Sequence, residues 1–226
     1  MRIILTIILA LFLPLAALMV VFSTPVCQAL AEAAIPQNAA DPAEHEELVS
    51  TALAVRDFSL GNDNAGMPTG SDYHTAITPD AVSHLLSVRT VFLTCVFACI
   101  LLFVALLVLI IIAVKRKGSG VLARPLIIGG AIPLAAAIVL GVVVMVDFEG
   151  FFVWMHGLFF AAGTWTFPDD SLLIRSLPYN FWVSCGVVWA ASMAVLCLIS
   201  VIIGIVFARR SRRKKFLAHL DNSLSK

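Results

Sequence analysis

Charged residues are scarce in this sequence, and long stretches contain none. Of its 226 residues only 13% are charged and 61% are hydrophobic. In soluble domains about 25% of residues are charged and about 45–50% are apolar. Residues 3–26, 91–114, 125–146 and 181–207 hold no Asp, Glu, Lys or Arg, and each reaches the length of about 20 residues that a membrane-spanning helix needs. Because backbone groups in lipid must pair within their own segment, helices fit such blocks. The sequence therefore predicts an all-α membrane protein built on a bundle of four transmembrane helices.

Several common functional motifs are also missing. The sequence contains no GxSxG nucleophile elbow, no glycine-rich phosphate loop and no HExxH zinc motif. The apolar blocks carry no carboxylate, which argues against an ion or proton transporter, since transporters place ionisable residues at mid-membrane. Four of the five cysteines lie within the blocks, so no disulfide framework is indicated. We predict neither a metal nor another cofactor.

Basic residues are concentrated in the chain ends and in residues 115–124, and such segments mark the cytoplasmic side. We therefore predict transmembrane helices at 3–26, 89–114, 125–146 and 181–207, extracytoplasmic segments at 27–88 and 147–180 that form a small cap, a basic cytoplasmic loop at 115–124 and a basic cytoplasmic tail at 208–226. Both termini are then cytoplasmic. The first helix is predicted to be retained, because its apolar run exceeds the roughly 7–15 residues of a signal peptide. The basic tail directly follows a span and lacks interleaved aromatic residues, so nucleic acid is not predicted as a partner. The sequence indicates no obligate protein partner either.

The two outer segments differ in character. In the first, the spacing of Leu48, Ala52 and Val55 predicts a helix. The second is dense in aromatic residues, which either form a belt at the bilayer interface or line a shallow pocket that faces the lipid. The candidates for lining such a pocket are Phe152, Trp154, Phe159, Phe160 and Trp165.

Two histidines from the separate outer segments are the candidate catalytic residues. His84 follows the helix start Thr78-Pro79-Asp80, so we expect it on a helix that continues into the second span. His156 lies in the second outer segment, and the topology places both histidines at one membrane face. Because neighbouring helices pack about 8–10 Å apart, the two imidazoles are expected to meet, where they can serve as base and acid.

Other polar residues supply supporting candidates and an alternative. Asp80 lies four residues before His84, where it either orients the imidazole or only complements the helix dipole. Arg89 stands at the lip of a span and can reach lipid headgroups. A simpler interpretation is that the two histidines lie at the membrane interface and have no common function. A third interpretation is a metal or haem site, for which His45, His74, Asp80 and Asp147 offer further metal ligands.

The segments around the two histidines carry longer motifs. The second reads Phe152-x3-His156-x2-Phe159-Phe160-x4-Trp165-x-Phe167-Pro168-x-Asp170, and the first reads Thr78-Pro79-Asp80-x3-His84-Leu85-x2-Val88-Arg89. Together with the four-span topology, these motifs resemble the bacterial lipoprotein intramolecular transacylase family. The chain differs from the usual family pattern at Ser87, where an acidic residue is common.

The resemblance implies an acyl transfer within one molecule. The acyl chain at the sn-2 position of a diacylglyceryl-cysteine lipoprotein moves to the amine of its own N-terminal cysteine, which gives a lyso-form lipoprotein. His84 and His156 match the family's catalytic pair, and Asp170 joins the supporting residues. Of the two histidines we expect His156 to be the base and His84 the acid, because Asp80 can keep His84 protonated. The implied partners are the diacylated lipoprotein N-terminus and membrane lipid, at the outer face of the bacterial plasma membrane. The alternative is a non-catalytic four-span protein that binds a lipid or protein through its cap.

Overall fold

A computed structural model of the protein describes residues 1–36 and 41–224. Within these ranges the chain is helical and forms no strand. Its helices are α1 Arg2–Val21, α2 Thr24–Ala34, α3 Pro42–Ser59, α4 Pro79–Lys117, α5 Ala123–Val146, α6 Phe148–Phe159, α7 Leu172–Ser176 and α8 Tyr179–Leu224, with a 3₁₀ turn at Ser119–Leu122 before α5. The predicted segments 27–88 and 208–226 include residues 37–40 and 225–226, which lie outside the described ranges.

Four helical stretches are long and apolar enough to cross a membrane: Arg2–Val21, Pro79–Lys117, Ser119–Val146 and Tyr179–Ser223. Their surfaces carry large apolar side chains, and Phe97, Val139 and Val187 are 70%, 66% and 63% exposed. Monomeric soluble proteins rarely expose extended apolar surface, whereas lipid is its natural solvent. The prediction of an all-α membrane protein with four membrane helices is therefore confirmed.

The helix ends follow local sequence signals. Pro79 starts α4, the Thr78 hydroxyl accepts a hydrogen bond from the Ala81 N–H at 3.4 Å, and the helix continues unbroken past His84 to Lys117. This confirms the predicted helix start. The first predicted span extended to residue 26, but α1 ends at Val21 and a new helix begins at Thr24 with proline in its first turn. The last helix continues beyond residue 207 to Leu224.

Backbone contacts divide the chain into two compact units, and the first consists of Met1–Ala17, Ala98–Leu140 and Ala190–Lys226. In this unit α5 and α8 approach each other through glycines. A Cβ atom built on Gly204 would lie 2.9 Å from the carbonyl oxygen of Ala123, and one built on Gly130 would lie 2.9 Å from that of Cys197. Without a hydrophobic driving force in lipid, such close backbone packing is a main source of helix association.

The second unit consists of Leu18–Phe97 and Gly141–Trp189, and it has an apolar core of its own. The core draws on α2, α3, the start of α4, α7 and the start of α8, with Ile35, Ile77 and Phe181 almost fully buried. Leu48, Ala52 and Val55 of α3 are among the buried residues, so the predicted helix and its buried face are confirmed.

Polar contacts tie the loops of this unit to its helices. The Arg56 side chain donates through Nε to the Phe22 carbonyl at 2.9 Å, close to the end of α1. Arg175 of α7 forms an ion pair with Glu44 of α3. The N–H of Leu172 donates to the Tyr73 carbonyl at 2.8 Å. The last two contacts hold α7 against α3 and against the loop that precedes α4.

Candidate active site

The two candidate histidines lie side by side in the second unit. His84 comes from the second turn of α4 and His156 from the last turn of α6. Their ring centroids are 6.3 Å apart and the ring planes differ by 27°. The expected meeting of the two imidazoles is therefore observed, although they come from segments 72 residues apart in sequence (156 − 84).

A backbone hydrogen bond orients the His156 ring. Its Nδ1 lies 2.9 Å from the carbonyl oxygen of Phe152, one helical turn earlier. Because a carbonyl oxygen only accepts, Nδ1 carries the proton, and the neutral ring keeps its lone pair on Nε2. Burial lowers the pKa of His156 below its ordinary value of 6.5, and the hydrogen bond to Phe152 opposes this effect. At neutral pH the ring is thus a neutral base with a free Nε2.

His84 is more deeply enclosed than its neighbour. It is 8% exposed, and its buried Nδ1 has no hydrogen-bond partner among the described residues. The side chain of Asp80 is exposed, and within the described ranges no carboxylate forms an ion pair with either ring of the histidine pair. The structure therefore supports neither role predicted for Asp80 toward His84, that of orienting the ring or that of keeping it protonated. Ser87 is also exposed, and its hydroxyl donates to the Ser83 carbonyl at 3.4 Å.

Four aromatic side chains surround the histidine pair. Phe160 contacts both rings, with centroids 4.8 Å from His84 and 5.6 Å from His156. Phe152 lies 3.9 Å and Trp165 4.8 Å from the His156 ring. Phe167 lies 5.8 Å from His84. We call these four residues, Phe152, Phe160, Trp165 and Phe167, the aromatic enclosure.

Sequence reasoning finds three of the enclosure residues and misses Phe167, although Phe167 lies within the motif around His156. It packs against the apolar core as well as against His84. Its position two residues after Trp165 and directly before Pro168 is the signal in the sequence that points to it.

Three other predicted site residues make no ring contact or ion pair with the histidine pair. Trp154 and Phe159 are 59% and 55% exposed; Trp154 contacts Phe151 at 5.8 Å, and Phe159 contacts Phe160 at 6.3 Å. Asp170 faces His74, whose Nδ1 is 3.7 Å from its carboxylate.

Arg89 is held by neighbouring protein groups. Its guanidinium forms an ion pair with Asp63, donates to the Gly61 carbonyl at 3.2 Å and lies 5.5 Å from the centre of the Phe58 ring. These contacts attach the loop after α3 to α4. In the part of the chain that the structure describes, no group of three or more His, Cys, Asp or Glu side chains is arranged to hold a metal ion.

The arrangement suits proton transfer between neutral imidazoles. Burial of both rings and their closeness to each other disfavour a positive charge on either one, so the pair is neutral near pH 7 and can take up a proton. The four residues of the aromatic enclosure are half-buried, and their rings place apolar surface against both imidazoles. The fold and this geometry define a multi-pass membrane protein with an enclosed histidine pair.

Comparison with known proteins names the family. A family profile described as "Lipoprotein intramolecular transacylase Lit" matches residues 2–182, and the chain belongs to this family of acyl-transferring membrane proteins. No curated protein sequence matches the chain.

Solved structures show the same fold. The membrane-integral lipoprotein intramolecular transacylase Lit from Bacillus cereus superposes with a TM-score of 0.75 at 15% identity, over 94% of this chain and 96% of that one. Two variants of that enzyme, in which a histidine is replaced by arginine or by alanine, superpose with TM-scores of 0.66 and 0.67 at 14% identity, again over 94% of this chain and over 92% and 94% of theirs.

Proposed function

We propose that this protein moves the sn-2 acyl chain of a diacylglyceryl-cysteine lipoprotein to the amine of the same N-terminal cysteine. Family membership supplies the class of reaction and of substrate. The observation that carries the proposal for this chain is the histidine pair. The ring centroid of His156 lies 6.3 Å from that of His84 and 3.9 Å from that of Phe152. The Nε2 atom of His156 is free to accept a proton.

The reaction moves one proton from the cysteine amine to the glyceryl oxygen and replaces an ester C–O bond with an amide C–N bond. The cysteine amine attacks the acyl carbonyl carbon, and His156 Nε2 takes the proton that the nitrogen loses. The bond between the acyl carbon and the glyceryl sn-2 oxygen then breaks. His84 gives a ring N–H proton to the departing oxygen and takes up the proton held on His156, so that both imidazoles end the reaction neutral. The products are an amide and a free sn-2 hydroxyl, with no water consumed.

Orientation supplies much of the rate in this proposal. The amine and the ester belong to one molecule, and fixing them in a reactive geometry is worth up to about 7–11 kcal/mol in favourable cases. The aromatic enclosure limits the positions open to the substrate. It also keeps out water, which would otherwise compete with the amine and hydrolyse the ester.

The distribution of charge supports an outward-facing site. His84 stands near the start of α4, whereas Lys115, Arg116 and Lys117 form the last turn of the same helix. His84 and Lys115 are 31 residues apart in the sequence of α4 (115 − 84), more than the about 20 residues that a helix needs to cross the bilayer. Because basic segments favour the cytoplasm, we place the histidines and the cap outside the plasma membrane, and both chain ends inside.

Expression in a bacterial host without N-acylating enzymes tests the proposal. Mass spectrometry of lipoprotein N-termini should show N-acyl, lyso-glyceryl cysteine in cells that carry this protein, and diacylglyceryl cysteine with a free amine in cells that carry the empty vector. If both cultures show only the free amine, the acyl-transfer function is wrong, and a non-catalytic cap that binds lipid or protein becomes the better account.

A further inference from the structure

The indole N–H of Trp165 is an unusual group in the aromatic enclosure. Its Nε1 is buried and has no hydrogen-bond partner among the described residues. The ring lies 4.8 Å from the His156 ring and 6.5 Å from the Phe152 ring, between centroids. Buried donors without a partner are rare in folded proteins, and each one requires an explanation such as a ligand or a catalytic role.

Another tryptophan of the same unit, Trp182, has a hydrogen-bond partner for its indole N–H and offers a comparison. Trp182 packs beside Phe152, with ring centroids 6.2 Å apart. Its Nε1–H donates to the Leu177 carbonyl at 3.1 Å. Trp182 thus fills space and satisfies its donor within the protein. Trp165 fills space equally well but leaves its donor unused, directly beside the ring that we propose as the base.

The segment that carries Trp165 is held in place on both sides. Before it, the Thr164 N–H donates to the Ala161 carbonyl at 3.2 Å in a turn, where Gly163 adopts a positive φ of 80°. After it, Phe167 packs on the apolar core. A donor positioned in this way before the reaction begins needs little reorganisation when charge develops near it.

We infer that the Trp165 N–H donates to the acyl carbonyl oxygen as the tetrahedral intermediate forms. This inference rests on the proposed acyl transfer. When the amine nitrogen bonds to the carbonyl carbon, the electron pair of the C=O bond moves to the oxygen, and the indole N–H stabilises that charge by a hydrogen bond. The pair returns to carbon when the bond to the glyceryl oxygen breaks. The indole keeps its proton throughout, so the proton balance of the two histidines is unchanged.

The division of roles explains why a third group is needed. Proton transfer occupies Nε2 of His156 and the ring N–H of His84, and neither is then free to stabilise the oxyanion. The indole N–H cannot act as a base and holds its proton at any physiological pH, so it is suited to stabilising charge without exchanging a proton.

Steady-state kinetics of the full-length protein in lipid, with a synthetic diacylated lipopeptide as substrate, tests the inference. Trp165→Phe removes the donor and keeps an aromatic ring. We expect kcat to fall about 10²–10³-fold, the loss usual for one oxyanion donor, with KM little changed. Trp182→Phe is the matched control, because it removes an indole N–H whose partner is a backbone carbonyl; its kcat should stay near that of the wild type.

A second variant separates chemistry from folding. Replacing the Trp165 indole with benzothiophene, by incorporation of 3-benzothienylalanine, keeps the size and shape of the ring but removes the N–H. It should lose kcat as Trp165→Phe does, at an unchanged thermal unfolding temperature. A wild-type kcat in this variant, or a change confined to KM, would overturn the role of Trp165 and leave the acyl transfer intact. An inactive wild-type protein would instead refute the proposed function and this inference together.

Discussion

The Nδ1 atom of His156 lies 2.9 Å from the carbonyl oxygen of Phe152, one turn earlier in α6. This contact assigns the tautomer of the ring and leaves Nε2 as the atom that can accept a proton. It is local to the helix, so it forms whether or not substrate is bound. The base of the proposed reaction is therefore oriented by the backbone, without a carboxylate partner among the described residues.

The first prediction concerns removal of either imidazole. His84→Ala and His156→Ala should each lower kcat by about 10²–10⁴-fold, the usual contribution of general acid–base catalysis, and the double variant should lose little more, because the two rings act as a unit. The assay is conversion of a diacylated lipopeptide, followed by mass spectrometry.

His74→Ala is the control for these variants. His74 is exposed and its ring faces Asp170, not the histidine pair. It should keep wild-type activity. Full activity in both single variants of the pair would refute its assigned role.

The second prediction concerns pH. Burial lowers the pKa of His156 below 6.5, and the base acts in its neutral form. The substrate amine, with an ordinary pKa of about 7.7–8.0, gives kcat/KM one acid limb of its own, and protonation of His156 should add a second limb with its midpoint below pH 6.5. A pH–rate profile in lipid measures both limbs. A second limb with its midpoint above 6.5 would contradict the environment described for His156.

The third prediction concerns the packing of both rings by one side chain. Phe160 contacts His84 and His156, so Phe160→Ala should let both imidazoles move and should lower kcat by about 10–100-fold, in the range that small misplacements cost. Leu158→Ala, at a position that is 59% exposed in the last turn of α6, two residues before Phe160, is the control and should have no such effect. Equal kcat values for the two variants would show that Phe160 does not position the pair.

The membrane helices were easier to predict than the groups around the site. Lipid forces long uncharged blocks into helices, so composition alone located them. The N-terminal signals at Thr78 and Pro79 then fixed where α4 begins and thus placed His84 on a helix. Topology placed His156 at the same membrane face, and packing distances made a meeting of the rings plausible.

The details that sequence reasoning missed depend on tertiary packing. Helix α6 has no polar face, so its sequence shows no alternation of polar and apolar residues with helical spacing. Its start is nevertheless capped, because the Asp147 carboxylate accepts a hydrogen bond from the Gly150 N–H at 2.8 Å. Asp80 and His84 share a helix face by spacing, yet His84 turns into the protein while Asp80 is exposed. Exposure likewise separates Trp154 from Trp165, two residues that aromatic content alone does not distinguish.

The fourth prediction concerns the glycines that α5 and α8 use to approach each other. A methyl group at Gly204 would meet backbone atoms at 2.9 and 3.0 Å. Gly204→Ala should therefore lower the free energy of unfolding by about 1–3 kcal/mol, as overpacking usually does. Thermal unfolding in detergent measures it.

Gly186→Ala in the same helix provides the matched control. A Cβ atom there has open space within 4 Å, so alanine should be neutral or should stabilise the helix by up to about 1 kcal/mol. Equal unfolding temperatures for the two variants would contradict the close packing of α5 on α8.

A single-turnover experiment tests the central claim most directly. A synthetic lipopeptide with an isotopic label in its sn-2 acyl chain is mixed with an unlabelled lipopeptide of different peptide mass, and the protein is added in excess. The account predicts that wild-type protein moves the label only to the N-terminal amine of the molecule that carried it, and that His156→Ala leaves it on the glyceryl oxygen. Label that stays on glycerol with the wild type, or that moves equally well with His156→Ala, would contradict acyl transfer by the histidine pair.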